Sequence, residues 1–177
     1  VNVPLAMQVD ALWQVLANAS FLAMPAFVIA ANSSEHVHAL EIIGLLVWVS
    51  AFSMESFADM QKLSFLRAMK KAGEKNRVCN VGLWKYSRHP NYFAEWMVWN
   101  GLIIASIPSW LTLYAAESLV IWLLLGVGLL FASWKMYSTL VYDTGAEPAE
   151  YYSALKRPDY KAYQQTTNRF FPGPKNK

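Results

Sequence analysis

Residues 111–137 read LTLYAAESLVIWLLLGVGLLFASWKMY and decide the fold class of the chain. After Glu117 this stretch carries no charged residue until Lys135, and apolar residues surround the whole helix circumference. A surface helix of a soluble protein keeps a polar face, whereas about 20 apolar residues are needed to cross the hydrocarbon layer of a membrane. The sequence therefore predicts a transmembrane helix over 111–137.

Three similar stretches precede it, at about 12–31, 40–57 and 92–107. A helix satisfies all its own backbone hydrogen bonds, as lipid requires, so we expect all four to be helical. The predicted fold class is all-α: a polytopic membrane helix bundle with at least four transmembrane helices and a cytoplasmic C-terminal helical segment. We expect one membrane domain over 1–172 and a disordered tail over 173–177.

The links between these stretches differ in charge. The segment 32–38 (NSSEHVH) is a short polar link, and 107–110 (IPSW) is predicted to be a tight turn at which Pro108 ends the third helix. Neither contains Lys or Arg. The first 61 residues also contain none, whereas 15 basic residues follow between Lys62 and Lys177.

Basic residues favour the cytoplasmic side of a membrane. The four-helix prediction places loop 62–91 and tail 138–171 on one side, so both are expected to be cytoplasmic. The membrane is then a bacterial inner membrane or the endoplasmic reticulum. The single cysteine, Cys79, excludes an intramolecular disulfide framework.

Two carboxylates stand near the predicted cytoplasmic end of the second span. Glu55 and Asp59 are four residues apart and share one helix face, with Gln61, Lys62 and Arg67 following. Carboxylates at a membrane boundary are costly unless paired or solvated. They form either a polar pocket that binds a ligand or a solvated end at which Lys62 pairs with Asp59.

The segment 82–95 reads GLWKYSRHPNYFAE. Pro90 suits the first turn of a helix, whose free N–H groups favour an anion beside Arg88 and His89. Asn91 and Glu95 share one face of that helix, and a carboxylate inside a span is a candidate functional residue. Contact with lipid headgroups would explain the basic residues, but not Asn91 and Glu95.

In the tail, Arg157, Tyr160 and Tyr163 are of the types that pair with phosphate and stack on a base. The alternative is an amphipathic helix on the membrane surface, and Phe170 and Phe171 are expected to anchor the segment in either case. The chain has no phosphate-binding loop, dinucleotide-fold glycine pattern or zinc-ligand spacing. We therefore predict no metal site and no nucleic-acid partner.

Three segments together resemble a known family: ESFADMQ at 55–61, GLWKYSRHPNYFAE at 82–95 and KRPDYKAYQ at 156–164. They are similar to the bacterial membrane branch of the steroid 5α-reductase-like family, which is related to membrane enzymes of the isoprenylcysteine carboxyl methyltransferase type. The resemblance runs from about Leu12 to Pro172. It implies a membrane enzyme that binds NADPH from the cytoplasm and reduces an activated carbon–carbon double bond in a hydrophobic lipid or steroid-like substrate.

The resemblance also implies a set of cofactor-binding residues. Asn91 and Glu95 match contacts to the nicotinamide. The remaining members lie near the ribose and phosphates, at the cofactor mouth and in the C-terminal closure: Glu55, Asp59 and Arg67; Tyr86, Arg88, His89 and Tyr92; Arg157, Tyr160 and Tyr163. Among them Arg67, Arg88 and His89 are expected to hold phosphates.

The chain departs from the family pattern in two ways. Ala94 stands where a glycine is usual. Family members also have further helices before this segment, which supply groups that polarise the substrate, so no catalytic residue is assigned.

Two alternatives stay open at this stage. One is a methyltransferase dependent on S-adenosylmethionine. The NYFAE segment at 91–95 and the cluster of Glu55, Asp59 and Gln61 favour the reductase over this methyltransferase. The other is a non-catalytic membrane subunit or truncated homologue that keeps the fold and has a membrane-protein partner.

Overall fold

The computed structural model describes residues 8–9, 12, 15–16, 23–32 and 36–175. Within these ranges the chain is helical or irregular and contains no strand, which confirms the all-α prediction. A short 3₁₀ helix and a π-helical turn join the longer helices. The elements are α1 (Met24–Ala30), α2 (Ala39–Lys71), the 3₁₀ helix Gly82–Lys85, α3 (Pro90–Ala116), α4 (Leu119–Ser138), the π-helical turn Thr139–Asp143, α5 (Ala146–Lys156) and α6 (Tyr160–Thr166).

Three helical runs are long and apolar enough to cross a membrane: α2, α3 and the run Leu119–Lys156 that begins with α4. They indicate an integral membrane protein. Eight of the 20 residues of the first predicted span, 12–31, lie outside the described residues, and α1 covers only its last part. The side of the membrane on which each loop lies stays a prediction.

The predicted turn at 107–110 is wrong, because α3 continues through Pro108 to Ala116. Proline removes one backbone hydrogen bond and usually ends or kinks a helix. Two hydroxyls near Pro108 bond to the helix backbone: Ser106 Oγ donates to Ile103 O at 2.7 Å, and Thr112 Oγ1 donates to Ser109 O at 2.8 Å. Neither acceptor is Ile104 O, the carbonyl that loses its usual partner at Pro108.

The second predicted span also ends later than expected. Helix α2 extends to Lys71, so residues 62–71 of the predicted loop are helical. The helix stops where Gly73 adopts a positive φ of 73°, and the Glu74 N–H donates to Met69 O at 2.9 Å, as in a common helix C-terminus. Asn91 and Tyr92 likewise belong to a helix that begins at Pro90, which confirms the predicted start.

The tail after α5 is helical again in α6, as expected. The Gly173 N–H donates to Tyr86 O at 3.0 Å, and the disorder predicted for 173–177 stays a prediction. Residues 176–177 lie outside the described part of the chain.

The chain divides into two compact units, and the prediction of one domain stays a prediction. The first unit comprises 1–46 and 99–135. Its buried core is Val28, Leu113 and Leu129. The rings of Trp110 and Trp122 stack 4.5 Å apart in this unit, and each indole N–H donates to the backbone oxygen of the other residue, at 2.9 and 3.0 Å.

The second unit comprises 47–98 and 136–177. Trp84 is buried in it and donates from Nε1 to Ala58 O at 2.9 Å, which ties the 3₁₀ helix to α2. Gln61 Oε1 accepts the Leu83 N–H at 2.9 Å. All predicted site residues belong to this unit.

Candidate functional site

A buried ion cluster forms around Glu150 in the second unit. Arg88 is 8% exposed and Glu150 is 3% exposed, and they form two parallel bonds: Nε to Oε1 at 2.6 Å and Nη2 to Oε2 at 3.1 Å. Arg88 Nη1 also donates to the backbone oxygens of Gln164, at 2.8 Å, and Thr167. All three guanidinium nitrogens of Arg88 are therefore bonded to protein groups.

His89 and Gln164 complete this cluster. His89 Nε2 lies 3.2 Å from Glu150 Oε1, and Gln164 Nε2 donates to Glu150 Oε2 at 2.9 Å. Burial lowers the pKa of His89 below its ordinary value of 6.5, and the bond to Glu150 partly opposes that effect. The His89 ring stacks on Tyr92 at 5.2 Å, which links the cluster to the first turn of α3.

A backbone latch holds the C-terminal segment against residues 84–88. The Arg88 N–H donates to Asn168 O at 2.8 Å, and Ser87 Oγ donates to Phe170 O at 2.9 Å. The Tyr163 hydroxyl donates to the backbone oxygen of Trp84. Burial raises the pKa of Tyr163 above its ordinary range, and that of Tyr160 to about 12, so both phenols stay protonated at neutral pH.

Beside the latch lies an open cavity whose free space, including its solvent-filled mouth, is about 590 Å³. Its walls come from α2, residues 77–92, α5 and α6. The lining includes cations (Lys62, Arg77, Arg88, His89 if protonated, and Arg157) and aromatic rings (Trp84, Tyr92, Tyr160 and Tyr163). Among the described residues no carboxylate lines it, so the wall is electropositive.

Near this cavity, Asn91 connects to the carboxylates predicted from the sequence. Asn91 lines the cavity and donates from Nδ2 to Asp59 Oδ1 at 3.1 Å. Glu95 lies within electrostatic range of Glu55 and Asp59. Asn91 Oδ1 is buried and has no hydrogen-bond partner within the described part of the chain.

The structure thus brings seven predicted residues to the cavity wall: Arg88, His89, Asn91, Tyr92, Arg157, Tyr160 and Tyr163. Glu55, Asp59 and Glu95 form the adjacent acidic group. Arg67 and Tyr86 are exposed and are not among the described residues that line the cavity.

Sequence reasoning gave no role to two important residues. Glu150 neutralises Arg88, yet it stands 62 positions away and no local pattern marks it. Arg77 lines the cavity and could have been noted as the last basic residue before the GLWKYS segment.

The model of DUF1295, described as a protein of unknown function, matches residues 7–167. The chain belongs to the DUF1295 family. This family is linked to steroid 5α-reductase-like proteins, and at that level the resemblance is confirmed, whereas the bacterial branch and the methyltransferase relationship stay predictions.

An uncharacterized protein of Schizosaccharomyces pombe is 26% identical to this DUF1295 member over 171 residues. The match covers 85% of this chain and 44% of that protein, so the chain spans less than half the length of this relative. No solved structure matches the chain. All residues that line the cavity lie within the DUF1295 match, whereas Asn168 and Phe170 of the latch lie beyond it.

Proposed function

We propose that the chain is a membrane-embedded reductase that binds NADPH from the cytoplasmic side and reduces an activated carbon–carbon double bond in a lipid or steroid-like substrate. The electropositive, ring-lined cavity that reaches the Asn91–Asp59 pair carries the proposal. The link of DUF1295 to steroid 5α-reductase-like proteins supports it.

The charge of the cavity favours a ligand with phosphate groups. Arg88 is neutralised by Glu150, but other cations of the wall have weaker partners. Arg77 pairs with the exposed carboxylates of Asp159, at 3.6 Å, and Glu74, at 3.9 Å, and exposed pairs contribute little. Arg157 Nη1 donates to Ser153 Oγ at 3.0 Å, and Lys62 Nζ lies 4.3 Å from the Trp84 ring centre. These groups are suited to phosphate oxygens.

The Asn91 side chain favours an amide-bearing ligand. Buried acceptors almost always have a hydrogen-bond partner from the protein, an ordered water or a ligand, so an acceptor without a protein partner is available to a ligand donor. Asn91 Oδ1 is such an acceptor, and the Nδ2 bond to Asp59 holds it in place. The carboxamide N–H of a nicotinamide is a donor of the required kind.

The residues of this chain then have separate roles in binding NADPH. Lys62, Arg77 and Arg157 bind phosphates, while Asn91 and Glu95 orient the nicotinamide amide. NADPH supplies a hydride when it is bound. Glu150 keeps Arg88 and His89 fixed in the wall, and the proton donor is not assigned.

Thermal unfolding of the purified chain in lipid nanodiscs with added NADPH, NADH or S-adenosylmethionine tests the proposal. A ligand at 100 times its Kd stabilises a protein by about 2.7 kcal/mol, so NADPH should raise the melting temperature measurably. Stabilisation by S-adenosylmethionine alone would identify the methyltransferase. If no ligand raised the melting temperature, the non-catalytic alternative would be favoured.

A matched pair of variants tests the site. Glu95→Ala removes a carboxylate of the proposed site, whereas Glu117→Ala removes an exposed one between α3 and α4. A lost hydrogen bond to a charged group costs about 1.5–3 kcal/mol, so Glu95→Ala should weaken NADPH binding by roughly 10- to 100-fold in calorimetry. Equal effects of both variants would remove the site assignment.

A further inference from the structure

Helix α5 has two chemically different faces. Ala146 and Glu150 are buried on its inner face, and Ser153 of the same face lines the cavity. Tyr151 and Tyr152 stand on its outer face with Leu155, and these three side chains are between 61% and 68% exposed. Residues three and four apart lie above one another on a helix, so these three form one continuous apolar patch.

The patch begins close to the end of a helix that can cross a membrane. The π-helical turn Thr139–Asp143 follows α4 directly, and only Thr144 and Gly145 separate it from α5. Tyr142 of that turn is 51% exposed and adds another ring. The four exposed side chains are Tyr142, Tyr151, Tyr152 and Leu155.

The composition of the patch matches a membrane interface. Tyrosine is enriched at membrane–water boundaries, where its ring is covered by acyl chains while its hydroxyl stays hydrated. Interfacial helices bury their apolar face roughly 5–10 Å deep in this boundary.

We propose that the outer face of α5 lies in the headgroup–acyl boundary of the bilayer that α4 crosses. Tyr151, Tyr152 and Leu155 insert into the lipid, and Tyr142 extends the contact toward α4. Because Glu150 and Ser153 occupy the opposite face, the lipid contact holds one wall of the cavity in position. This inference does not depend on the identity of the cofactor.

Spin-label accessibility in nanodiscs tests the proposal. The chain has one cysteine, so Cys79→Ala provides a background for single labels. Nitroxides are attached in separate proteins at Tyr151→Cys, Tyr152→Cys and Leu155→Cys, and their exposure to oxygen and to a water-soluble nickel chelate is measured. The exposed positions leave buried packing intact, and circular dichroism with melting temperature checks each labelled protein.

Two further positions supply references. Leu124→Cys, on α4 and 64% exposed, reports a lipid environment, and Lys161→Cys, on α6 and exposed, reports water. We expect the oxygen-to-nickel exposure ratio of the patch to be several-fold above that of Lys161→Cys and to correspond to a depth of roughly 5–10 Å. A ratio equal to that of Lys161→Cys places the patch in water and overturns the proposal. Low exposure to both reagents places it under protein and also overturns it.

Discussion

In the first unit the buried core consists of Val28, Leu113 and Leu129, whereas the buried side chains of the second unit include Arg88, His89 and Glu150. Apolar packing tolerates small rearrangements, because dispersion contacts are many and individually weak. A buried ion cluster does not, because a missing partner leaves an uncompensated charge. The interactions of this chain that tolerate change least therefore lie beside the cavity.

The variant with the largest expected effect removes Glu150, the centre of the ion cluster. Glu150→Ala leaves Arg88 buried without its carboxylate, and breaking a buried pair costs about 3–5 kcal/mol. Denaturant unfolding should therefore show a large drop in stability. Glu147→Ala, an exposed carboxylate 3.8 Å from Arg169, is the control and should change stability by less than about 1 kcal/mol. Similar losses in both variants would contradict the role given to Glu150.

Alkaline pH tests the second unit in another way. Burial, followed by the charge of Glu150, raises the pKa of Tyr160 from 10.0 to about 12. Because of this difference in pKa, the folded state has its full stability below the unfolded pKa of about 10. As pH rises through about 12, the free energy of unfolding falls by roughly 3 kcal/mol.

Stability should accordingly fall between about pH 10 and 12 in denaturant titrations, since the unfolded phenol ionises first. Tyr160→Phe should weaken this dependence, while the exposed Tyr152→Phe should not. An unchanged profile in Tyr160→Phe would show that another group causes the decline.

The first unit is tested where two helices approach closely. A Cβ on Gly44 of α2 would lie 2.5 Å from Ala105 N and 2.6 Å from Gly101 O, both backbone atoms of α3. Gly44→Ala forces the helices apart, and such overpacking costs about 1–3 kcal/mol. The neighbouring Leu45→Ala, at an exposed position, serves as the control in thermal unfolding. Equal melting temperatures of the two variants would contradict the close approach of α2 and α3 at Gly44.

The smallest expected effect concerns the paired tryptophans. Trp122→Phe keeps a ring against Trp110 but loses the indole N–H that donates to Trp110 O. One hydrogen bond contributes about 1 kcal/mol, so the melting temperature should fall slightly. Trp134→Phe, at an exposed position of α4, should leave it nearly unchanged. If Trp134→Phe lowered the melting temperature by the same amount, the effect would come from the smaller ring and not from the lost hydrogen bond.

The sequence located several elements, but not all of their ends. The start of α3 at Pro90 was predictable because proline fits the first helical turn. The passage of α3 through Pro108 was not, since proline removes a backbone hydrogen bond and usually ends or kinks a helix. The candidate site followed a similar rule, because Asn91 and Asp59 were both recognised but their 3.1 Å contact joins two separate helices.

The sequence by itself determined the all-α membrane class, because uninterrupted apolar stretches have only one favourable way to satisfy their backbone in lipid. It also determined that Asn91 stands in the first turn of a helix, because Pro90 suits that turn. Only the tertiary structure decided that Glu150 neutralises Arg88 while Arg77 and Arg157 line the cavity. Charges acquire partners through contacts between distant segments, and no local period encodes such contacts.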